Sequence, residues 1–127
     1  MVEIKVTVDI GKYKWVRLPL EEAVKLLNKV SELLGWRSGD VDEALRYMEH
    51  FDEFYSMMRR KFKEFLVPIK RSSDMIRGRV VVDKLKLEKE GDQKIVTLVF
   101  DRRVDLRVVV DALENMGFEV EVEKRVF

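Results

Sequence analysis

The side chains able to carry catalysis are sparse in this chain of 127 residues. His50 is the only histidine, and it stands between Glu49 and Phe51 in a run of helical spacing, where a lone imidazole reads as a surface or packing residue. There is no cysteine, which excludes disulfides, thiolate zinc sites and a cysteine nucleophile. The six glycines are scattered at turns, and neither a phosphate-cradling loop nor a dinucleotide fingerprint is present. Carboxylate pairs such as Asp40/Asp42 and Asp52/Glu53 have the chemistry to hold a magnesium ion. In a chain with 24 acids they read instead as solvated helix faces. We therefore expect no catalytic residue, no metal and no cofactor, and a protein that is not an enzyme but works by binding.

Residues suited to binding are plentiful. Tyr47, Phe51, Phe54, Tyr55, Phe62 and Phe65 place six of the twelve aromatics in one segment, with Met48, Met57 and Met58 among them. At helical spacing they span too wide an arc for a single core-facing stripe. Such a helix is either a central core element buried on more than one side, or it offers apolar surface as an oligomer seam or the floor of a ligand cleft.

Charge along the same segment is polarised. Residues 40–53 carry six acids against Arg46, net −5, whereas residues 59–79 carry eight bases against Glu64 and Asp74, net +6. Helix-dipole complementarity accounts for Asp40 to Glu43 and for Arg59, Arg60, Lys61 and Lys63, but that effect fades within the last turn. It leaves Lys70, Arg71, Arg77 and Arg79 unexplained. With Ser72, Ser73 and Gly78 these bases supply guanidinium forks, hydroxyls and free backbone amides, the groups that contact phosphates. A solvated basic loop has the same composition.

A third cluster lies near the start. In the run from Tyr13 to Leu18, alternation puts Val16 and Leu18 on one face and Tyr13, Trp15 and Arg17 on the other, beside Lys5 if the pairing is simple. If Val16 and Leu18 face the core, the aromatic face is a stacking platform for unpaired bases, each typically worth ~1–3 kcal/mol. If a helix covers that face, Trp15 is core. Trp36 with Arg37, between two helices, is a similar pair.

The elements that position these residues follow from periodicity. Val2, Ile4, Val6, Val8 and Ile10 alternate with Glu3, Lys5, Thr7 and Asp9 as in a half-buried strand, and Gly11-Lys12 turns into a second strand, Tyr13 to Leu18. Pro19 starts a helix in which Ala23, Leu26, Leu27, Val30, Leu33 and Leu34 form the stripe and Gly35 the stop. Ser38 or Asp40 caps a long helix from about Val41 to about Leu66, ended by Pro68. Residues 67–78 read as a loop. Arg79–Lys89 and Lys94–Phe100 form a second hairpin around Glu90-Gly91-Asp92. Asp105 caps a short helix ending at Gly117, favoured over a strand through Val108 to Val110, and Phe118, Val120, Val122 and Val126 alternate in a last strand. The fold class is thus α+β in one domain, 1–127, with order ββαα–ββαβ: a largely antiparallel sheet of two hairpins and a C-terminal strand, packed with two consecutive helices and a short third.

Composition sets the outer bounds. With 25 basic and 24 acidic residues the net charge is +1, so any electrostatic case for nucleic acid must come from clustering. Dense charge with only Asn28, Gln93 and Asn115 as amides is the pattern of heat-adapted proteins. No apolar run approaches the roughly 20 residues of a membrane span, and the alternating, acid-bearing start is unlike a signal peptide. We expect a cytoplasmic protein without a membrane partner.

In element order and residue character, the first two-thirds of the chain resembles the archaeal ThermoDBP family of single-stranded-DNA-binding proteins and their shorter relatives. The resemblance rests on the hairpin VEIKVTVDIGKYKWVRLP, the helix junction LLGWRSGDVDEALRYM and the aromatic segment HFDEFYSMMRRKFKEFL. It implies an apolar cleft flanked by bases that takes up single-stranded DNA, completed by dimers or higher assemblies. The matching positions are Trp15, Trp36 and Tyr55 with Arg17, Arg59, Arg60 and Lys63. The extended C-terminal zipper of longer members has no counterpart in this sequence.

The expectation is therefore a non-enzymatic binder of single-stranded nucleic acid, DNA before RNA, with little sequence preference and a homo-oligomeric state. Its candidate contacts are Trp15, Arg17, Trp36, Arg37, Tyr55, Arg59, Arg60, Lys63, Lys70, Arg71, Arg77 and Arg79. The competing reading is an assembly module with the aromatic helix 41–66 as its interface.

Overall fold

Alternation builds the first two elements, but the first strand stops at Val8 and leaves Ile10, expected to continue it, 71% exposed in the turn. Val2–Val8 forms β1, and Lys14–Pro19 forms β2 after a turn in which Lys12 takes a left-handed φ of 68°. The computed structural model describes residues 2–125, and Val126, expected in the last strand, lies outside them. Helix α1, Leu20–Leu34, follows with Pro19 at its N-cap position, Glu21 and Glu22 in its first turn, and Gly35 at φ 80° ending it. Then come α2 (Gly39–Glu49), α3 (Phe51–Arg60), the short α4 (Ser72–Ile76), β3 (Val82–Glu90), β4 (Gln93–Phe100), α5 (Leu106–Asn115) and β5 (Phe118–Lys124). Asp105 caps α5 by accepting the Arg107 N–H at 2.8 Å, and Gly117 leaves it at φ 94°.

The five strands form one sheet in the order β3-β4-β2-β1-β5. All pairings are antiparallel except β1 with β5, which run parallel from Val2↔Phe118 to Val8↔Lys124. The class is α+β, as the periodicities require. One face, carrying Val6, Val16, Leu18, Leu85, Leu87, Val96, Leu98 and Phe100, meets Ala23, Leu26, Leu27 and Val30 of α1 and Val109, Ala112 and Leu113 of α5 in the core. Each fully buried Leu or Val there contributes about 1.5–3 kcal/mol.

The helical region departs from expectation in two places. A single helix from Val41 to Leu66 is replaced by α2 and α3, which part at His50 (φ −103°, ψ 44°). The break lets each half bury its own face, Val41, Ala44, Tyr47 and Met48 in α2, then Phe51 and Met58 in α3. This accounts for the wide aromatic arc that no single stripe could explain. Helix α3 also stops at Arg60, because Phe62 adopts φ 53° and the Lys63 N–H closes back on the Met58 carbonyl at 2.9 Å. The chain beyond it pairs Leu66 with Leu85 at the free edge of β3. The loop expected at 67–78 contains α4, and β3 begins at Val82 rather than Arg79.

Neither expected cap for α2 works through its own side chain. Ser38 stands at the N-cap without a side-chain hydrogen bond, and the Gly39 N–H is taken by Asp74 Oδ2 at 2.9 Å. Asp40 is buried and accepts the Val81 and Val82 N–H groups at 2.8 and 2.5 Å, tying the start of β3 to α2.

Candidate nucleic-acid interface

The sheet face turned away from the helices carries Trp15, Arg17, Thr97, Val99, Lys84, Lys86 and Glu88, interleaved with the core-facing residues of β2, β4 and β3. Among the described residues no helix lies on it. Ile95, Thr97 and Val99 of the central strand β4 are nonetheless buried, shielded by the long side chains of the flanking strands, whose stems cover apolar surface while their charges reach water.

Phe65 reaches this face from outside the sheet. The Leu66–Leu85 bridge turns Leu66 into the core, and alternation turns Phe65 to the opposite side. There its ring meets the Trp15 ring edge-on at 5.9 Å and 80°. Lys84 Nζ lies 4.2 Å from the Phe65 ring and 5.1 Å from the Trp15 ring, a cation held by two aromatic quadrupoles. The indole is fixed by Nε1 donating to Asp9 Oδ2 at 2.9 Å. Beside these rings lies a groove of about 440 Å³, lined by Lys5, Thr7, Arg17, Glu64, Lys86 and Arg125 among others.

Most of the positive charge in the groove is already committed. Lys5 pairs with Glu123 at 2.9 Å, Lys86 with Glu64 at 3.6 Å, and Arg125 with Glu123 at 3.9 Å. Arg17 binds Glu90 and lies 3.5 Å from Glu88. The hydrogen bond that Arg17 donates to Glu90 holds its guanidinium above its ordinary pKa, and the one Lys5 donates to Glu123 does the same for the Lys5 ammonium. Lys84, which sits over the two rings and not in the groove lining, has no carboxylate partner among the described residues.

The residues expected to bind fall into three places. Trp15 and Arg17 share the groove, as their alternation requires. Tyr55, Arg59, Arg60 and Lys63 lie on or just after α3: the Tyr55 ring stacks on Phe51 at 5.8 Å, and Arg59 donates to its hydroxyl at 3.1 Å. Lys63 borders a neighbouring cavity that meets the groove at Glu64 and Phe65. The remaining six lie outside the groove, in the turn before α2 and in the segment from Lys70 to Arg79. Trp36 is half-buried with the Arg79 guanidinium 5.5 Å from its ring, and Arg37 bonds Asn28 and lies 3.6 Å from Asp42. The Arg71 stem crosses Gly39 so closely that a Cβ there would meet it at 2.6 Å. Lys70 reaches the Pro68 and Asp83 carbonyls at 3.5 Å, and Arg77 is exposed.

Sequence reasoning missed Phe65 and Lys84. Alternation of Lys84, Lys86 and Glu88 with Leu85 and Leu87 carried a signal for the lysine; Phe65, embedded in helical spacing, carried none. His50 sits exposed at the α2–α3 junction with Nδ1 3.9 Å from Glu53. Among the described residues no group of three or more metal-ligating side chains is assembled, and no helix is long and apolar enough to cross a membrane. Compared with known protein families, curated proteins and solved structures, the chain matches none of them.

Proposed function

We propose that the chain binds single-stranded nucleic acid without catalysis, stacking unpaired bases against Trp15 and Phe65 on the helix-free face of its sheet. The observation that carries this reading is the Trp15–Phe65–Lys84 cluster: two rings that line a groove of about 440 Å³, with an ammonium over them that has no carboxylate partner among the described residues. A stacked base typically contributes ~1–3 kcal/mol and discriminates little between sequences. The ThermoDBP resemblance supports the same function through element order and residue character. A labelled thymidine 20-mer titrated by fluorescence anisotropy, at several salt concentrations with duplex as competitor, tests it. Binding that weakens with salt and survives duplex supports the proposal; absence of binding at low salt overturns it.

Self-assembly is favoured by a separate observation. Phe62, Val67, Ile69 and Ile76 are 95%, 61%, 74% and 87% exposed, more apolar surface than a basic segment needs for solubility. Phe51, in contrast, is 2% exposed, so any seam lies on the segment after α3 and not on the buried stripe of the aromatic helices.

A further inference from the structure

If the groove bases are already paired, the phosphates of a bound strand must be met elsewhere. The register shows where. Val82↔Phe100, Lys14↔Phe100, Val8↔Lys14 and Val8↔Lys124 bring the start of β3, the end of β4, the start of β2 and the ends of β1 and β5 to one rim of the sheet. Lys12, Lys14, Arg79, Arg102, Arg103 and Lys124 converge there from segments up to 112 positions apart. None of the six forms an ion pair among the described residues.

The carboxylates at this rim are engaged by backbone amides or an indole, Asp105 while remaining exposed. Asp9 accepts the Tyr13 N–H and the Trp15 indole, Asp101 the Arg103 N–H, Asp105 the Arg107 N–H, and Asp40 two amides of the β3 start. Asp83 is half-buried, and burial raises its carboxyl above the usual range. Lys14 is almost fully buried and directs its ammonium to the Arg102 carbonyl at 3.1 Å, which leaves Lys12, Arg79, Arg102, Arg103 and Lys124 as the exposed cations, Arg79 with its guanidinium over the Trp36 ring. The opposite rim carries Glu3, Glu21, Glu90, Asp92 and Glu119, with Lys89 and Lys94 there paired to Asp52. A net charge of +1 thus conceals a molecule polarised along its strands, the condition for steering an anion to one end.

Rim and groove are continuous. Asp9 and Arg125 line both the groove and a cavity of about 420 Å³ under the rim, where Lys12, Lys14 and Lys124 join them. We propose that this rim is a docking surface for a phosphodiester backbone. A strand whose bases stack at Trp15 and Phe65 passes Arg125 and runs its phosphates across the strand ends over Lys124, Lys12, Arg102 and Arg103. The proposal rests on the single-strand reading and supplies the phosphate contacts that the groove lacks. Five strands at ~4.8 Å spacing make a track of about 19 Å, long enough for several consecutive phosphates.

The test uses two probes, a thymidine 20-mer and an abasic phosphodiester of equal length, with the wild-type chain and the triple variant Lys12→Asn, Arg102→Gln, Arg103→Gln. Asparagine is chosen because it tolerates the left-handed φ at position 12. Each single-strand phosphate contact contributes about 0.7 to the slope of log K against log salt. The triple variant is expected to lower that slope by about 2 on both probes, with an unchanged urea midpoint. An unchanged slope on a strand the wild type binds would overturn the rim and leave stacking intact. Equal wild-type affinity for both probes, with the slope loss retained, would support the rim and refute stacking. Binding of neither probe at low salt overturns both.

Discussion

Asp40 offers the sharpest test of how the binding face is anchored. Its side chain is 1% exposed; Oδ2 accepts the amides of Val81 and Val82, and Oδ1 has no partner. These bonds fix the start of β3, from which Lys84 reaches Trp15 and Phe65. Replacing Asp40 with alanine strands two buried N–H groups, at ~1–3 kcal/mol each. The loss of the carboxylate's own desolvation cost offsets part of this, since one oxygen is unpaired. We expect a net destabilisation of about 3 kcal/mol. Asp40→Asn keeps an acceptor at Oδ2 and loses only the charge-assisted part of two bonds, about 1 kcal/mol. Urea unfolding followed by circular dichroism reads both; with a slope of ~1–3 kcal/mol/M, the alanine variant's midpoint falls by roughly 1–3 M. Asparagine as damaging as alanine, or alanine costing under about 1 kcal/mol, would refute this account of the anchor.

Two further outcomes follow from the segment after α3. Phe62→Gly relieves a left-handed φ of 53° on a ring that is 95% exposed. Strain of ~1–2 kcal/mol less the ~0.5–1 kcal/mol of added glycine entropy should raise the urea midpoint by the equivalent of ~0.5–1 kcal/mol. A fall would show that the ring packs against a partner. If the exposed apolar side chains form an assembly seam, light scattering should find an oligomer that Ile69→Asp with Ile76→Asp dissociates; a monomeric wild type would remove the seam.

The strands were legible because alternation is local. Val16 and Leu18 against Trp15 and Arg17, or Leu85 and Leu87 against Lys84 and Lys86, state both faces without knowledge of the fold. The break at His50 was hidden because neither glycine nor proline marks it and helical spacing continues on both sides; the over-wide aromatic arc was its only trace. Phe65 could not be assigned, because its side is decided by Leu66 pairing with Leu85, a contact across 19 positions. The linear charge pattern pointed to residues 59–79, whereas the basic rim is assembled by register from the ends of separate strands. Trp36 and Tyr55 resembled platform residues by type, but neither lines the groove that Trp15 and Phe65 share.

The chain has two tryptophans, so Trp36→Phe leaves Trp15 as the sole indole reporter in the groove. Titrating that variant with an unlabelled thymidine 20-mer at low salt, while following indole emission, tests base stacking directly. Quenching that saturates at the midpoint found by anisotropy is the predicted result. A strand that binds while Trp15 emission stays unchanged, or that fails to bind at all, would contradict the account.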